Sequence, residues 1–245
     1  MQAANAPPKE SARISGMFDA IAGRYDLLNH LLSAGLDTQW RRRAVAELQL
    51  TGRETVLDLC TGTADLAIAA TAMPQRARRV VGVDFSAAML GIGKRKVNGA
   101  ITLIRGDATC IPLADATIDA VTIGFGIRNV ERIDSAFIEI LRVLRPGGRL
   151  VILEFSFPRS SLLRKLYVWY FRRILPLIGR AVSRHPSAYT YLPQSVDAFP
   201  SPEVFCDQLR AAGFGTAHAL PLTFGVVYMF VAAKRPVRRP GGIID

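Results

Sequence analysis

Short apolar runs alternate along this chain with stretches in which apolar residues recur every three or four positions. Val56, Leu57 and Leu59 belong to a first run over 55–60, and Val80, Val81 and Val83 to a second over 79–83. Both have the length and β-branched content of strands covered on two faces, and the segment between them, 65–72, has helical composition. The rhythm continues with a helix over 86–97 and strands over 101–105 and 118–123. Ile133, Phe137, Ile140, Leu141 and Leu144 then share one helical face, with Asp134 expected as N-cap and Arg145-Pro146-Gly147-Gly148 as the stop before a strand over 149–155. Such βαβ alternation predicts a mostly parallel sheet with right-handed crossovers, which binds ligands at the carboxyl ends of its strands.

The two ends of the chain break this rhythm. Phe18, Ile21, Tyr25, Leu28 and Leu32 predict a leading helix interrupted by Gly23 and Gly35, and a further helix passes through 40–48 before Gly52. Near the other end 202–212 reads as helix. The runs 216–220 and 226–232 are close enough in sequence to pair as an antiparallel hairpin. The expected organisation is an unstructured lead (1–14), one domain (15–235) and a basic tail (236–245). Within the domain, 15–50 is a helical lid and 159–200 a basic amphipathic lid.

A length of 245 residues suits one substantial α/β domain. The net charge of +11 and pI near 10.2 point to an anionic partner, either phosphate backbones or an acidic membrane leaflet, beside the plainer role of solubility. Part of that charge is concentrated: 159–184 carries seven arginines and lysines and no acid. Arg164, Lys165, Arg172 and Arg173 fall on one half of a helical wheel. Leu163, Leu166, Tyr167, Tyr170, Phe171 and Ile174 fall on the other, up to Pro176, which is expected to end or kink the helix. This is the make-up of an interfacial helix, and equally of a helix packed on a sheet. Cys60, Cys110 and Cys206 are odd in number and lack metal-ligand spacing, so neither a disulfide framework nor a metal site is expected, and a reduced, cytoplasmic chain follows. With no signal pattern and no spanning run, any membrane contact is expected to be peripheral, on the inner face of the plasma membrane.

The candidate chemistry begins at Cys60-Thr61-Gly62-Thr63-Ala64-Asp65, a small-residue turn directly after the first strand. With Asp84 closing the second strand, it forms the skeleton of a nucleotide-type cofactor site. Gly62 lets backbone approach the ligand and Asp84 takes the ribose hydroxyls, unless Asp84 only caps the helix that starts at Ser86. Asp58 and Asp65 would repel a pyrophosphate and favour a cationic methionyl group, which selects S-adenosylmethionine among the cofactors that use such turns. Asp107 is positioned for an adenine amino group, or else is a simple turn acid. The segment 124–126 would face the methionyl end.

Several segments resemble the menaquinone/ubiquinone C-methyltransferase family. They are Phe18 to Asn29 with its Arg24-Tyr25-Asp26, Gly62-Thr63-Ala64-Asp65, Gly124-Phe125-Gly126-Ile127-Arg128-Asn129-Val130, Leu144 to Arg149, Tyr189 to Ser195, and Ala212-Gly213-Phe214. The likeness covers roughly 15–234 and implies a Rossmann-like class I methyltransferase with a seven-stranded, mostly parallel sheet ending in an antiparallel hairpin. It implies Thr63, Asp84, Asp107 and Ala108 as cofactor contacts, with Asp58, Gly62, Gly124, Arg24 and Tyr25 around them. Two letters depart from the family pattern. Gly124 stands where many members have serine, and Ala64 stands where glycine is usual.

By the same resemblance the reaction is C-methylation of demethylmenaquinol to menaquinol, or of the methoxy-polyprenyl-benzoquinol of ubiquinone synthesis. Methylating a quinol ring carbon requires a ring oxygen to give up its proton. Arg128 is the family's candidate, but a guanidinium with a pKa above about 12 is a poor acceptor. It reads instead as the stabiliser of the phenolate, with Asn129 orienting the oxygen or a water; the alternative for Arg128 is a structural ion pair with an acid such as Glu154. His185 is a further candidate base, ahead of His30 and His218. Arg24, Tyr25 and Asn29 could fold over the cofactor as part of the lid. The expected partners are a lipophilic prenylated quinol and an anionic membrane surface, with no nucleic acid; a homodimer is compatible with the sequence. The rivals are an RNA methyltransferase, encouraged by charge alone, and a non-catalytic cofactor-binding protein, suggested by Ala64 and Gly124.

Overall fold

Residues 9–97, 99–158, 160–169, 173 and 187–236 are described by a computed structural model. Two helices, α1 (Lys9–Leu32) and α2 (Leu36–Glu47), precede the alternating core of β1 (Thr55–Leu59), α3 (Asp65–Ala72), β2 (Arg79–Asp84), α4 (Ala87–Lys96) and β3 (Ile101–Arg105). The core continues through β4 (Ile118–Gly124), a 3-10 turn (Ile127–Asn129), α5 (Ile133–Val143) and β5 (Leu144–Phe155). Then come α6 (Ser161–Trp169), α7 (Ser187–Ala198), α8 (Pro202–Ala212), β6 (Phe214–Leu222) and β7 (Val227–Lys234).

The sheet order is β3-β2-β1-β4-β5-β7-β6. Strands β1 to β5 pair in parallel, while β7 runs antiparallel to both β5 and β6, as the terminal hairpin expected from sequence. Helices cover both faces. Leu57, Leu59, Val81, Val83 and Ile123 pack with Phe137 and Phe205 on one face; Val56, Val80, Val151 and Leu153 pack with Trp40 and Leu66 on the other. Two-sided burial is why these strands read as unbroken apolar runs. The chain reverses its direction of winding between β1 and β4, so the carboxyl ends of β1, β2 and β4 frame the crevice where α/β sheets bind ligands.

The structure departs from the sequence reading at several edges. Helix α1 is unbroken through Gly23, where a side chain would meet nothing within 4 Å, and the real break is Gly35 at a φ of 79°. It begins at Lys9, inside the stretch read as a lead; 1–8 lie outside the described residues. Asp134 is not the N-cap of α5: Arg132 stands there without a side-chain bond, and Asp134 sits in the first turn, where its charge favours the helix dipole. Strand β5 starts before the Pro-Gly-Gly segment. Its pairing with β4 jumps from Ile118↔Leu144 to Ala120↔Arg149, so 145–148 loop out as a bulge. Pro176 and His185 lie outside the described residues, as do Leu163, Leu166, Tyr167, Tyr170, Phe171, Arg172 and Ile174 as side chains, and the tail beyond 236.

Candidate active site

Three residues of the β1–α3 turn adopt positive φ: Cys60 at 56°, Gly62 at 56° and Ala64 at 69°. The turn is this tight because two neighbours press on it. A side chain at Gly93 of α4 would come within 3.3 Å of the Thr63 backbone, and one at Gly126 would collide with the Cys60 Cβ. Ala64 therefore does occupy a left-handed conformation, at a cost on the order of 1 kcal/mol relative to glycine.

The acids around the turn divide into two sets. Asp58 is 1 % exposed and spends its oxygens inside the protein, accepting from Thr61 Oγ1 at 2.5 Å, Thr122 Oγ1 at 2.9 Å and the Ala67 amide at 3.1 Å. It holds the turn and occupies an N–H in the first turn of α3, so its expected role beside the cofactor gives way to a structural one. Burial raises its carboxyl to about 6, against the lowering effect of these bonds. Asp65 is likewise engaged within the protein, pairing with Lys96 and, at 3.2 Å, with Arg41.

Asp84 and Asp107 belong to the second set. Asp84 accepts from the Gly62 amide at 2.8 Å and the Ser86 amide at 2.9 Å, so one carboxylate clamps the two turns at the ends of β1 and β2. Its pKa is raised by burial and, more weakly, by Asp19. Asp107 is exposed, with one oxygen accepting from the Thr109 amide at 2.7 Å. Ala108 beside it is buried. The Cys60 thiol, raised first by burial, is raised further by Asp84, Asp58, Asp107 and Glu154. The crevice is thus negative at its centre, and an α3 N–H that a phosphate would use is already taken by Asp58. Both properties suit a cationic ligand and oppose a pyrophosphate.

Gly124 ends β4 half-buried, and a side chain there would meet Leu66 Cδ2 at 3.2 Å. A side chain there would require Leu66 to give way by a few tenths of an ångström.

The leading helix closes over the crevice through two aspartates seven residues apart. Asp19 accepts from Ser86 Oγ at 2.5 Å, and Asp26 accepts from Thr63 Oγ1 at 2.5 Å and from Lys96 Nζ at 2.7 Å. A spacing of seven puts both on one helical face. Tyr25, between them, has its phenol raised by burial, while an Asn29 hydrogen bond and the fields of Arg128 and Arg41 act the other way. It lies within electrostatic reach of both Arg128 and Asp84. Arg24 is exposed on the same helix.

Arg128 is nearly enclosed. Its Nη1 donates to Glu154 Oε1 at 2.6 Å and to the Phe125 carbonyl at 2.5 Å, its Nε donates to Ser195 Oγ at 3.3 Å, and the guanidinium lies 5.6 Å from the Phe155 ring centroid. Phe155 stacks on Phe125 at 4.5 Å, and Trp40 of α2 leans on both. Glu154 is wholly buried; burial raises its carboxyl and Arg128 opposes that shift. The ion pair considered from sequence is therefore present. Asn129 accepts from the Tyr191 hydroxyl at 2.9 Å. Tyr191 and Ser195 stand four residues apart on α7, a spacing that could have marked a shared face. Asp19 and Asp26 lie in the family-like segment from Phe18 to Asn29, but their contacts follow only from the structure, and Lys96 carried no sequence signal. No cluster of metal-ligating side chains occurs among the described residues.

The family model for the ubiE/COQ5 methyltransferase family matches residues 7–234. The chain belongs to this family. A demethylmenaquinone methyltransferase from Deinococcus radiodurans is 45% identical over 245 residues, spanning 96% of this chain and 100% of its own. One from Thermus thermophilus is 46% identical over 223 residues, spanning 89% and 100%. A ubiquinone/menaquinone biosynthesis C-methyltransferase UbiE from Geobacter sulfurreducens is 45% identical over 232 residues, spanning 92% and 90%. Among solved structures, the [4+2]-cyclase SpnF has a TM-score of 0.64 at 17% identity, covering 93% of this chain and 97% of its own. An S-adenosylmethionine-dependent methyltransferase from Thermotoga maritima has a TM-score of 0.62 at 20% identity, covering 90% and 99%. These structures share the fold. As a ubiE/COQ5 family member the protein is an S-adenosylmethionine-dependent C-methyltransferase, and the negative crevice clamped by Asp84 fits that cofactor.

Proposed function

We propose that the protein methylates a ring carbon of demethylmenaquinol, giving menaquinol. Asp84, Gly62, Thr63, Asp107 and Ala108 would hold S-adenosylmethionine, with Gly124 at its methionyl end and Tyr25 and Arg24 of the lid above. When bound, the cofactor supplies an electrophilic sulfonium methyl group. Arg128 and Asn129 act on the quinol: they hold the ring oxygen as its proton departs to water, which makes the ring carbon electron-rich. The observation that carries this reading is the Arg128 guanidinium, clamped by Glu154 over the Phe155 ring at the mouth of the crevice.

The benzoquinol of ubiquinone synthesis is the second reading, favoured by the double name of the Geobacter sulfurreducens relative. Ala64 and Gly124, which suggested a non-catalytic protein, are each accommodated by local packing and lend that idea little weight.

Contact with an anionic bilayer is part of the proposal, at the cytoplasmic face. Leu162 is 75 % and Trp169 55 % exposed on α6, beside exposed Arg164 and Lys165. Phe224 is 81 % exposed, in a turn where a side chain on Gly225 would lie 3.6 Å from Pro158, just before α6. Apolar and cationic groups side by side suit the headgroup region. Among the described residues no helix is long and apolar enough to cross a membrane.

The test is incubation with methyl-labelled S-adenosylmethionine and, separately, demethylmenaquinol, the methoxy-polyprenyl-benzoquinol and bulk RNA. Label is expected in the first. Label confined to RNA, or no calorimetric binding at millimolar cofactor, overturns the reading.

A further inference from the structure

Helix α7 packs against both α1 and the 127–129 turn, and it meets that turn through two side chains. Ser195 Oγ accepts from Arg128 Nε at 3.3 Å and donates its own hydrogen to the Leu192 carbonyl at 3.0 Å. The Tyr191 hydroxyl donates to Asn129 Oδ1 at 2.9 Å. We infer that Tyr191 and Ser195 are positioning residues that aim N–H donors of the Arg128–Asn129 pair at the substrate oxygen and so favour its phenolate form.

Arg128 has five N–H bonds. One is held by Ser195, and Nη1 serves Glu154 and Phe125. Among the described residues, Nη2 and the Asn129 Nδ2 take no partner. Neither atom is buried: the one buried unpaired polar side-chain atom among the described residues is Gln208 Oε1. Each therefore keeps some exposed surface as a donor. With Oδ1 turned to the Tyr191 hydroxyl, the Asn129 amide is held with its Nδ2 on the opposite side. A phenolate oxygen brought to the pair accepts from both groups, and such charge-assisted bonds favour it over the neutral hydroxyl. The O–H bond breaks, its electron pair stays on oxygen, and the proton goes to water. No side-chain base is needed. Without Tyr191 the amide can turn and present Oδ1, which would stabilise the hydroxyl and oppose ionisation.

This inference rests on the quinol reading above, and the experiment separates the two. Turnover of demethylmenaquinol by the full-length protein is followed from pH 5.5 to 9 for wild type, Tyr191→Phe and Ser195→Ala, with S-adenosylmethionine affinity measured by calorimetry. The acidic limb of kcat, which reports the bound substrate, is expected to move up by about one pH unit in Tyr191→Phe. At pH 6 that is a loss of about tenfold in kcat, with cofactor affinity within about twofold of wild type. Ser195→Ala, a milder change, is expected to move the limb in the same direction and serves if Tyr191→Phe does not fold. An active wild type whose acidic limb stays in place in the folded variants overturns the positioning role. A wild type that methylates no quinol overturns the functional reading itself.

Discussion

Arg128 Nη1 lies 2.6 Å from Glu154 Oε1, and neither side chain has appreciable contact with solvent. A buried ion pair of this kind contributes little over an apolar pair of the same size, but removing one partner strands the other. Glu154→Gln is therefore expected to lower unfolding free energy by about 3–5 kcal/mol in urea titration. Combining it with Arg128→Met should restore most of that loss while turnover stays absent. Recovery of turnover in the double variant would remove Arg128 from the chemistry.

Ala64 offers the opposite sign. Its φ of 69° is a conformation glycine adopts freely, and the side chain contributes only a packed methyl against α4. Ala64→Gly should raise stability by about 0.5–1 kcal/mol, because relief of the backbone exceeds the added chain entropy. A lower thermal midpoint would mean that the methyl contact with α4 matters more than the backbone.

Gly126 and Cys60 form a steric couple. A Cβ at position 126 would overlap the Cys60 Cβ, which leaves no room for alanine. Gly126→Ala is expected to cost about 1–3 kcal/mol in thermal or urea unfolding. Cys60→Gly in the same chain removes the opposing atom and suits the φ of 56° at that position, so the double variant should recover. Additive losses would place the clash elsewhere.

Asp58 titrates at about 6 in the folded protein against 3.8 as an ordinary carboxyl. Between those values the folded state binds more protons than the unfolded one, so this group's contribution to stability declines as pH rises from about 4 to about 6 and is level above that. Asp58→Asn cannot titrate. The wild type should lose stability relative to this variant by an amount on the order of 3 kcal/mol between pH 4 and pH 7. A pH-independent difference between the two urea midpoints would show that the three hydrogen bonds keep Asp58 ionised throughout.

What the sequence made legible is local. The strands, α3, α8 and Asp84 at the end of β2 follow from apolar spacing within windows of ten residues or so, though β5 reaches back to Leu144. The direction Asp58 faces was hidden because β1 is covered on both sides, leaving no polar alternation to tell one face from the other. Asp26 and Thr63 meet across 37 positions of chain and Tyr191 and Asn129 across 62, contacts that follow from the docking of α1 and α7 on the sheet. No periodicity encodes them. The Arg128–Glu154 pair was foreseeable as an alternative, since Glu154 lies near the end of the strand beside β4, and the structure shows it formed.

The unequal settings of the three cysteines make the protein addressable by thiol chemistry. Cys206 is buried, and Cys60 is held protonated by burial and by the acids around it, whereas Cys110 is exposed, with its amide bonded to the Asp107 carbonyl at 3.1 Å. A maleimide dye is therefore expected to label the native protein at Cys110 alone, which mass spectrometry of the labelled chain checks.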